Sequence, residues 1–279
     1  MAELSPFTRR WIARACADVL RRAGVDGVVP TPLDAVLEHL GVRERLPHAA
    51  VPPSLRDRLL GAVRFHDRAV FVERRQSPPR RRFTEAHEAV HLLCPWHEAA
   101  LRCDSAAELF GGPGGIEAEA NFGAGQLIFQ GRRFADEGRG LEPSLATAFA
   151  LAGAYGASRH AAAHHYVETH RDALALLVAG RWPDSAGRLP VWRSVESDAF
   201  AARHGRLGGL RTLGGGVLAE AIEAARRSTG PVPATIELPG AGRFRAELVN
   251  NRHCHLLLLL GRATGMLTRP AVRYTDARL

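Results

Sequence analysis

Residues 78–93 read Pro-Pro-Arg-Arg-Arg-Phe-Thr-Glu-Ala-His-Glu-Ala-Val-His-Leu-Leu, and His87, Glu88 and His91 within them constrain the chain more than any other group. Ser77 is a cap residue, the two prolines suit a first helical turn, and Pro95 cannot continue a helix. A helix is therefore expected from about 78 to 93. Along it, four residues advance about 400° and about 6 Å, so both imidazoles leave one face a turn apart. That is the spacing two ligands of one tetrahedral metal need. Glu88 lies roughly 100° round from His87, within reach of a water at the metal rather than the metal itself. Whatever fold contains this helix must bring a further ligand to it.

H-E-x-x-H is the pattern of zinc peptidases, in which a catalytic zinc takes three protein ligands and keeps one position open. The acidic candidates downstream are Glu98, Asp104, Glu108, Glu117 and Glu119. Glu117 is preferred. It follows Gly111-Gly112-Pro113-Gly114-Gly115, a stretch that lets the chain fold back, and it opens a segment with apolar residues at 116, 120, 124, 127 and 128, the spacing of a buried helix. Asn121 lies four residues on, on the same face, where it can bond the outer nitrogen of a ligand histidine or fix the Glu117 carboxylate. Glu119 points about 200° away on such a helix and is the alternative ligand. Two histidines and a glutamate suit Zn²⁺, and the same set accepts Mn²⁺ or Fe²⁺. The expected chemistry is peptide hydrolysis, with Glu88 as general base and then proton donor to the leaving amine.

The rest of the chain divides by texture. Residues 7–24 carry Trp11, Ile12, Ala15, Val19 and Leu20 at helical spacing, and Thr31 with Pro32 is expected to cap a second helix through Leu40. The runs 60–65 and 68–72 around His66-Asp67 read as a β-hairpin. Residues 143–171 read as a helix, a break at Gly156 and a helix capped by Ser158. From 174 onward strands are expected at 174–178, 191–195, 235–238, 243–249 and 253–260, with a helix at 217–228. The fold class is α+β, and 279 residues allow two domains or one with an appendage.

A net charge of +8 favours acidic proteins, nucleic acid or anionic surfaces as partners, although Arg-rich composition is a bland source of the same charge. Cys16, Cys94, Cys103 and Cys254 contain no C-x-x-C pair, which points to reduced thiols and a cytoplasmic protein. No apolar segment follows the N-terminal charges, and Leu256–Leu260 is too short to span a bilayer, so neither a leader nor a membrane partner is expected. Cys94, His97 and Cys103 match no zinc-module spacing and read as structural. His160, His164 and His165 read as a solvated or partner-facing helix side. The helix pair that holds them offers few base-reading side chains, so DNA binding is not favoured. Arg74, Arg75 and Arg80–Arg82 crowd a helix start, where positive charge opposes the macrodipole, and this favours a role in steering an acidic substrate.

Arg-Arg-Phe-Thr-x-Ala-His-Glu-x-x-His-Leu-Leu at 81–93 resembles the metal-binding helix of the ImmA/IrrE metallopeptidases, and Ile-Glu-x-Glu-Ala-Asn-Phe-x-Ala-x-x-Leu-Ile at 116–128 resembles that family's second signature. The upstream hairpin and Tyr155-Gly-Ala-Ser158 are also similar. The resemblance implies His87, His91 and Glu117 as metal ligands and Glu88 as general base. It implies a zincin-like metallopeptidase domain over 1–135, a helix-turn-helix-like segment over 136–172 and a smaller α+β, GAF-like domain over 173–279. It also implies a substrate, an XRE-type transcriptional repressor whose cleavage releases a stress, DNA-damage or mobile-element response. The contrasting reading is a DNA- or repressor-binding regulator with a structural or lapsed metal site. Two positions depart from the signature: Gly123 stands where alanine is usual, and Gln130 where the family often has proline.

Overall fold

The apolar stripe near the N-terminus forms α1 (Pro6–Arg22), capped by Ser5, whose hydroxyl oxygen accepts the Thr8 N–H at 3.1 Å. The structure, a computed structural model, describes residues 4–103, 115–214, 216–238 and 242–261. The next helix, α2 (Leu33–His39), buries Leu33, Val36 and Leu37. Thr31 does not cap it. Its hydroxyl donates instead to the Leu127 carbonyl at 2.9 Å, and Pro32 occupies the cap position. A short β1 (Glu44–Leu46) was not legible as a strand; it pairs in parallel with β3 (Ala69–Val72). The expected hairpin is present, β2 (Gly61–Arg64) running antiparallel to β3 in register Val63↔Val70. Arg64 and Asp67 close its turn with an Nη2–Oδ2 contact of 2.6 Å. The sheet order β1-β3-β2 leaves β2 at an edge.

The histidine helix, α3, spans Pro78–Leu93. Ser77 takes the N-cap position, but its side chain makes no capping hydrogen bond. A further helix, α4 (Pro95–Cys103), begins immediately past the extended Cys94. The glycine-rich stretch at 111–114 and the acidic candidates Asp104 and Glu108 lie outside the described residues. The second signature forms α5 (Ile116–Phe129), followed by a short α6 (Arg133–Gly138) and the helix pair α7 (Leu145–Tyr155) and α8 (Arg159–Thr169). Gly156 separates that pair with φ +61°.

Packing between α3 and α5 sets the site. A Cβ on Gly123 would lie 2.6 Å from Val90 Cγ2 and 3.1 Å from Ile12 Cγ2, so only glycine lets the helix backbones approach this closely. The departure from alanine at this position is thus a packing requirement. The departure at Gln130 has a separate cause. Gln130 ends α5 with φ 50°, a left-handed conformation closed to proline. Its side-chain oxygen accepts the Gly27 N–H at 2.8 Å, and its amide nitrogen donates to the Val28 carbonyl at 2.7 Å and the Thr31 hydroxyl at 3.1 Å. One side chain therefore ties the end of α5 to the loop between α1 and α2.

The chain divides into two compact units, Met1–Phe134 with Leu151–Ala161 and Ala135–Ala150 with Ala162–Leu279, so the division runs through α7 and α8. The second unit holds β4 (Leu174–Gly180), β5 (Leu189–Glu196), α9 (Asp198–His204), β6 (Thr212–Leu213), α10 (Gly216–Arg227), β7 (Val232–Leu238), β8 (Gly242–Asn250) and β9 (Cys254–Leu260). Its sheet is antiparallel in the order β6-β5-β4-β9-β8-β7. Leu177 and Leu257 pack with Phe200, Leu218, Ile222 and Phe244 in one core. Leu176, Leu256 and Leu258, on the opposite face of the central strands, are buried as well. Burial on both faces explains why these strands read as continuous apolar runs rather than as alternation. Among the described residues no helix is long and apolar enough to cross a membrane.

Two substitutions test this packing. Gly123→Ala should destabilise the protein by about 1–3 kcal/mol through overpacking against Val90, read as a lower denaturant midpoint at unchanged slope. Gln130→Ala leaves buried backbone partners unsatisfied and should cost about 1–3 kcal/mol, measured in the same way. A neutral result at either position would remove that contact from the account.

Candidate metal centre

α3 presents His87 and His91 one turn apart, and α5 presents Glu117 opposite them. The Nε2 atoms of the two histidines are 3.1 Å apart. Glu117 Oε2 is 3.2 Å from His87 Nε2, and its Oε1 is 3.5 Å from His91 Nε2. Three donors on a tetrahedral ion with bonds of about 2.0–2.2 Å stand about 3.3–3.5 Å apart. The observed triangle therefore has the dimensions of one face of such a coordination sphere, and its chemistry, two imidazoles and a carboxylate, fits a divalent cation.

The hydrogen bonds behind the triangle favour the same use. His87 Nδ1 lies 3.2 Å from Asn121 Oδ1. An amide oxygen only accepts, so Nδ1 carries a hydrogen; protonated His87 donates its Nε2–H to Glu117, and neutral His87 would turn an Nε2 lone pair to a cation held there. Asn121 thus bonds the outer nitrogen of His87, one of the two roles open to it from the sequence. Glu119 is directed elsewhere: its Oε2 accepts the Trp96 indole N–H at 2.7 Å and meets His97 Nε2 at 3.0 Å. Of the two acidic residues considered as completing ligand, Glu117 is the one brought to the histidines. Glu98 does not join either cluster of potential metal ligands among the described residues, which are His87–His91–Glu117 and Cys94–His97–Glu119.

The titration of the triangle follows its geometry. Burial and the neighbouring His87 push His91 down to about 3. For His87, burial works against protonation but is outweighed by the hydrogen bond to Glu117 and the charge of Glu88, and its pKa is raised. The hydrogen bond from His87 lowers the Glu117 carboxyl. One positive charge is therefore stabilised among the three groups and a second is not. Burial pushes Glu88 up to about 7. This carboxylate sits against the first residue of β2: a Cβ on Gly61 would come within 2.4 Å of Glu88 Oε1. Glycine there lets the edge strand run directly beside the carboxylate.

His97, read from the sequence as structural, sits at the site itself. It is fully buried, and its Nδ1 is 3.0 Å from His91 Nδ1. Six-residue spacing across the Cys94-Pro95 break carries no periodic signal, so only the tertiary turn reveals the contact. His164 pairs with Glu168 at 3.7 Å and belongs to neither cluster. The arginine run divides by role. Arg82 donates to the Thr31 carbonyl at 2.8 Å and Arg75 pairs with Glu73 at 3.2 Å, while Arg74, Arg80 and Arg81 are exposed.

No protein-family model matches the chain, and no curated protein matches it. Among solved structures it is similar to a Mycobacterium tuberculosis transcriptional regulator, with a TM-score of 0.56 and 14% sequence identity over 90% of this chain and 75% of that one. At this identity the likeness is one of fold, a mixed arrangement of helices and sheets.

Proposed function

We propose that the chain is a metal-dependent endopeptidase that cleaves a DNA-binding repressor. The observation that carries this reading is the convergence of His87 Nε2, His91 Nε2 and the Glu117 carboxylate within 3.5 Å of one another, with Glu88 on the next position of the same helix. A cation held there, Zn²⁺ by the donor set and Mn²⁺ or Fe²⁺ by the same ligands, would polarise the scissile carbonyl and acidify a water. His87 and His91 act as neutral imidazoles, and Glu117 balances charge. Glu88 accepts the proton of the attacking water and passes it to the leaving amide nitrogen. Its burial, against Gly61 and Thr84, keeps bulk water from competing for that proton. Among the described residues β2 is an edge strand beside Glu88, along which an extended substrate segment can add as a strand.

The substrate class comes from the resemblance to the ImmA/IrrE metallopeptidases, whose targets are XRE-type repressors. The exposed Arg80 and Arg81 lie in the first turn of α3 and Arg74 in the segment before it, where they favour an acidic approach surface. By the same resemblance residues 173–279 form a GAF-like domain. The fold likeness to a transcriptional regulator accords with a role in transcription. It equally favours a second reading, a DNA- or repressor-binding regulator whose metal site is structural.

One variant separates the two. Glu88→Gln should leave metal content unchanged and reduce cleavage of the XRE-type repressor that the wild-type protein cuts by at least about 100-fold, followed by gel electrophoresis and mass spectrometry of the products. Undiminished regulation in cells carrying Glu88→Gln would favour the binding protein over the peptidase. Metal analysis after dialysis tests the ligand set: Glu117→Ala should lose bound metal, whereas Glu119→Ala should retain it with weakened affinity. The reverse ranking would exchange the roles of the two glutamates.

A further inference from the structure

The second cluster, behind His91, has a definite hydrogen pattern. Glu119 Oε2 is a pure acceptor when ionised, so the 3.0 Å contact with His97 Nε2 places a hydrogen on that nitrogen. An uncharged His97 then offers a lone pair at Nδ1. The facing atom, His91 Nδ1, is 3.0 Å away and must supply the hydrogen of that contact. His91 is thereby fixed with its hydrogen on Nδ1 and its Nε2 lone pair directed at His87 and Glu117. Trp96, adjacent in sequence, holds the far end of the chain by donating its indole N–H to the same Glu119 oxygen at 2.7 Å. His97 is fully buried and His91 nearly so, which leaves water no part in setting this direction.

We propose that Glu119 and His97 form a positioning chain that locks His91 in the Nδ1–H form and so presents its Nε2 to a divalent cation. The proposal rests on the reading of His87, His91 and Glu117 as a metal site. It gives each ligand histidine its own outer partner, Asn121 for His87 and the His97–Glu119 pair for His91. α5 thus supplies a ligand at Glu117 and anchors for both histidines at Asn121 and Glu119. A different use of the same residues is a second cation site on Cys94, His97 and Glu119, whose potential ligand atoms lie within 4.8 Å of one another. The hydrogen bonds disfavour it. His97 Nε2 carries a hydrogen, its Nδ1 is engaged by His91, and the Glu119 oxygen already takes two donors. Burial also pushes the Cys94 thiol up to about 12, far from the thiolate a metal needs.

The test uses the full chain with ¹⁵N-labelled histidine, stripped of metal. Long-range ¹H–¹⁵N correlation should show His91 in the Nδ1–H form alone, and a wild-type His91 hydrogenated on Nε2 overturns the proposal without any variant. Zinc affinity by chelator competition, with the ligand-field spectrum of the cobalt-loaded protein beside it, should show one equivalent bound. His97→Phe and Glu119→Ala should each weaken binding about 10- to 100-fold and release His91 into a mixture of forms. His97→Asn, whose side-chain oxygen replaces the Nδ1 acceptor, should recover most of the loss, which a purely space-filling role would not produce. Unchanged affinity and an unchanged His91 signal in folded His97→Phe or Glu119→Ala overturn the positioning role. A second equivalent of zinc, lost in Cys94→Ser, overturns it in favour of a cation site. A wild-type protein that takes up no cation, yet keeps His91 locked through His97, sinks the metal reading and leaves the hydrogen-bond chain standing.

Discussion

The geometry of the site depends on how close α5 comes to α3. Val90 turns its methyl groups into the space where Gly123 has no side chain, and the distances from His87 and His91 to Glu117 across the two helices depend on that contact. His87 and His91 bracket Val90 in sequence, and Glu117 and Asn121 lie within two turns of Gly123 on the facing helix. A backbone held apart by even one methyl group would move the Glu117 carboxylate off the 3.2 and 3.5 Å contacts it makes. The other side of α3 repeats the device. Gly61 brings β2 against Glu88 and Thr84, so the helix is gripped between two glycines, one setting the approach of Glu117 to the histidines and the other burying Glu88.

Such a grip concentrates polar groups where water is scarce. Glu88, His91 and His97 are all buried, and a buried polar group costs stability unless a partner satisfies it. The partners here are largely each other. His91 meets His97, His97 meets Glu119, and Glu119 is closed off by Trp96, whose ring packs edge-on against Trp11 at 4.6 Å. The network therefore fixes side-chain orientation as it satisfies its members. The raised Glu88 and lowered His91 record the same scarcity of water, acting on an acid and a base.

What could be read from the sequence follows from the range of the interactions involved. α3 was legible to the residue because prolines mark its start, another proline its end, and helical spacing alone puts His87 and His91 on one face. Glu117 and Asn121 were legible as a pair at helical spacing, and Glu117 was preferred over Glu119 on sequence alone; the helix–helix contact then brings Glu117, not Glu119, to the histidines. His97 was not legible, since its meeting with His91 is made by the turn at Cys94 and Pro95 and not by any period. The short elements β1, α4, α6, α9 and β6 carry too few residues for a pattern to accumulate. Thr31 shows the opposite failure, a strong local signal overruled from afar: its hydroxyl serves the carbonyl of Leu127 at the end of α5 instead of the helix it precedes.

Thr31, Gln130 and Gly123 also explain one another. Gln130 departs from the second signature, but its left-handed backbone and its amide make it the point where α5 is tied to the loop ahead of α2. Thr31 accepts from that amide and donates to Leu127, so both residues at this junction are committed to holding the C-terminal end of α5. That end lies about two turns past Gly123, where α5 meets Val90 of α3. Proline at 130 could supply neither the φ of 50° nor the three polar contacts, and α5 would be free to pivot about Gly123. Gln130 thus clamps the C-terminal end of α5, and the clamp acts on the end that carries Glu117 through the rigidity of α5 itself.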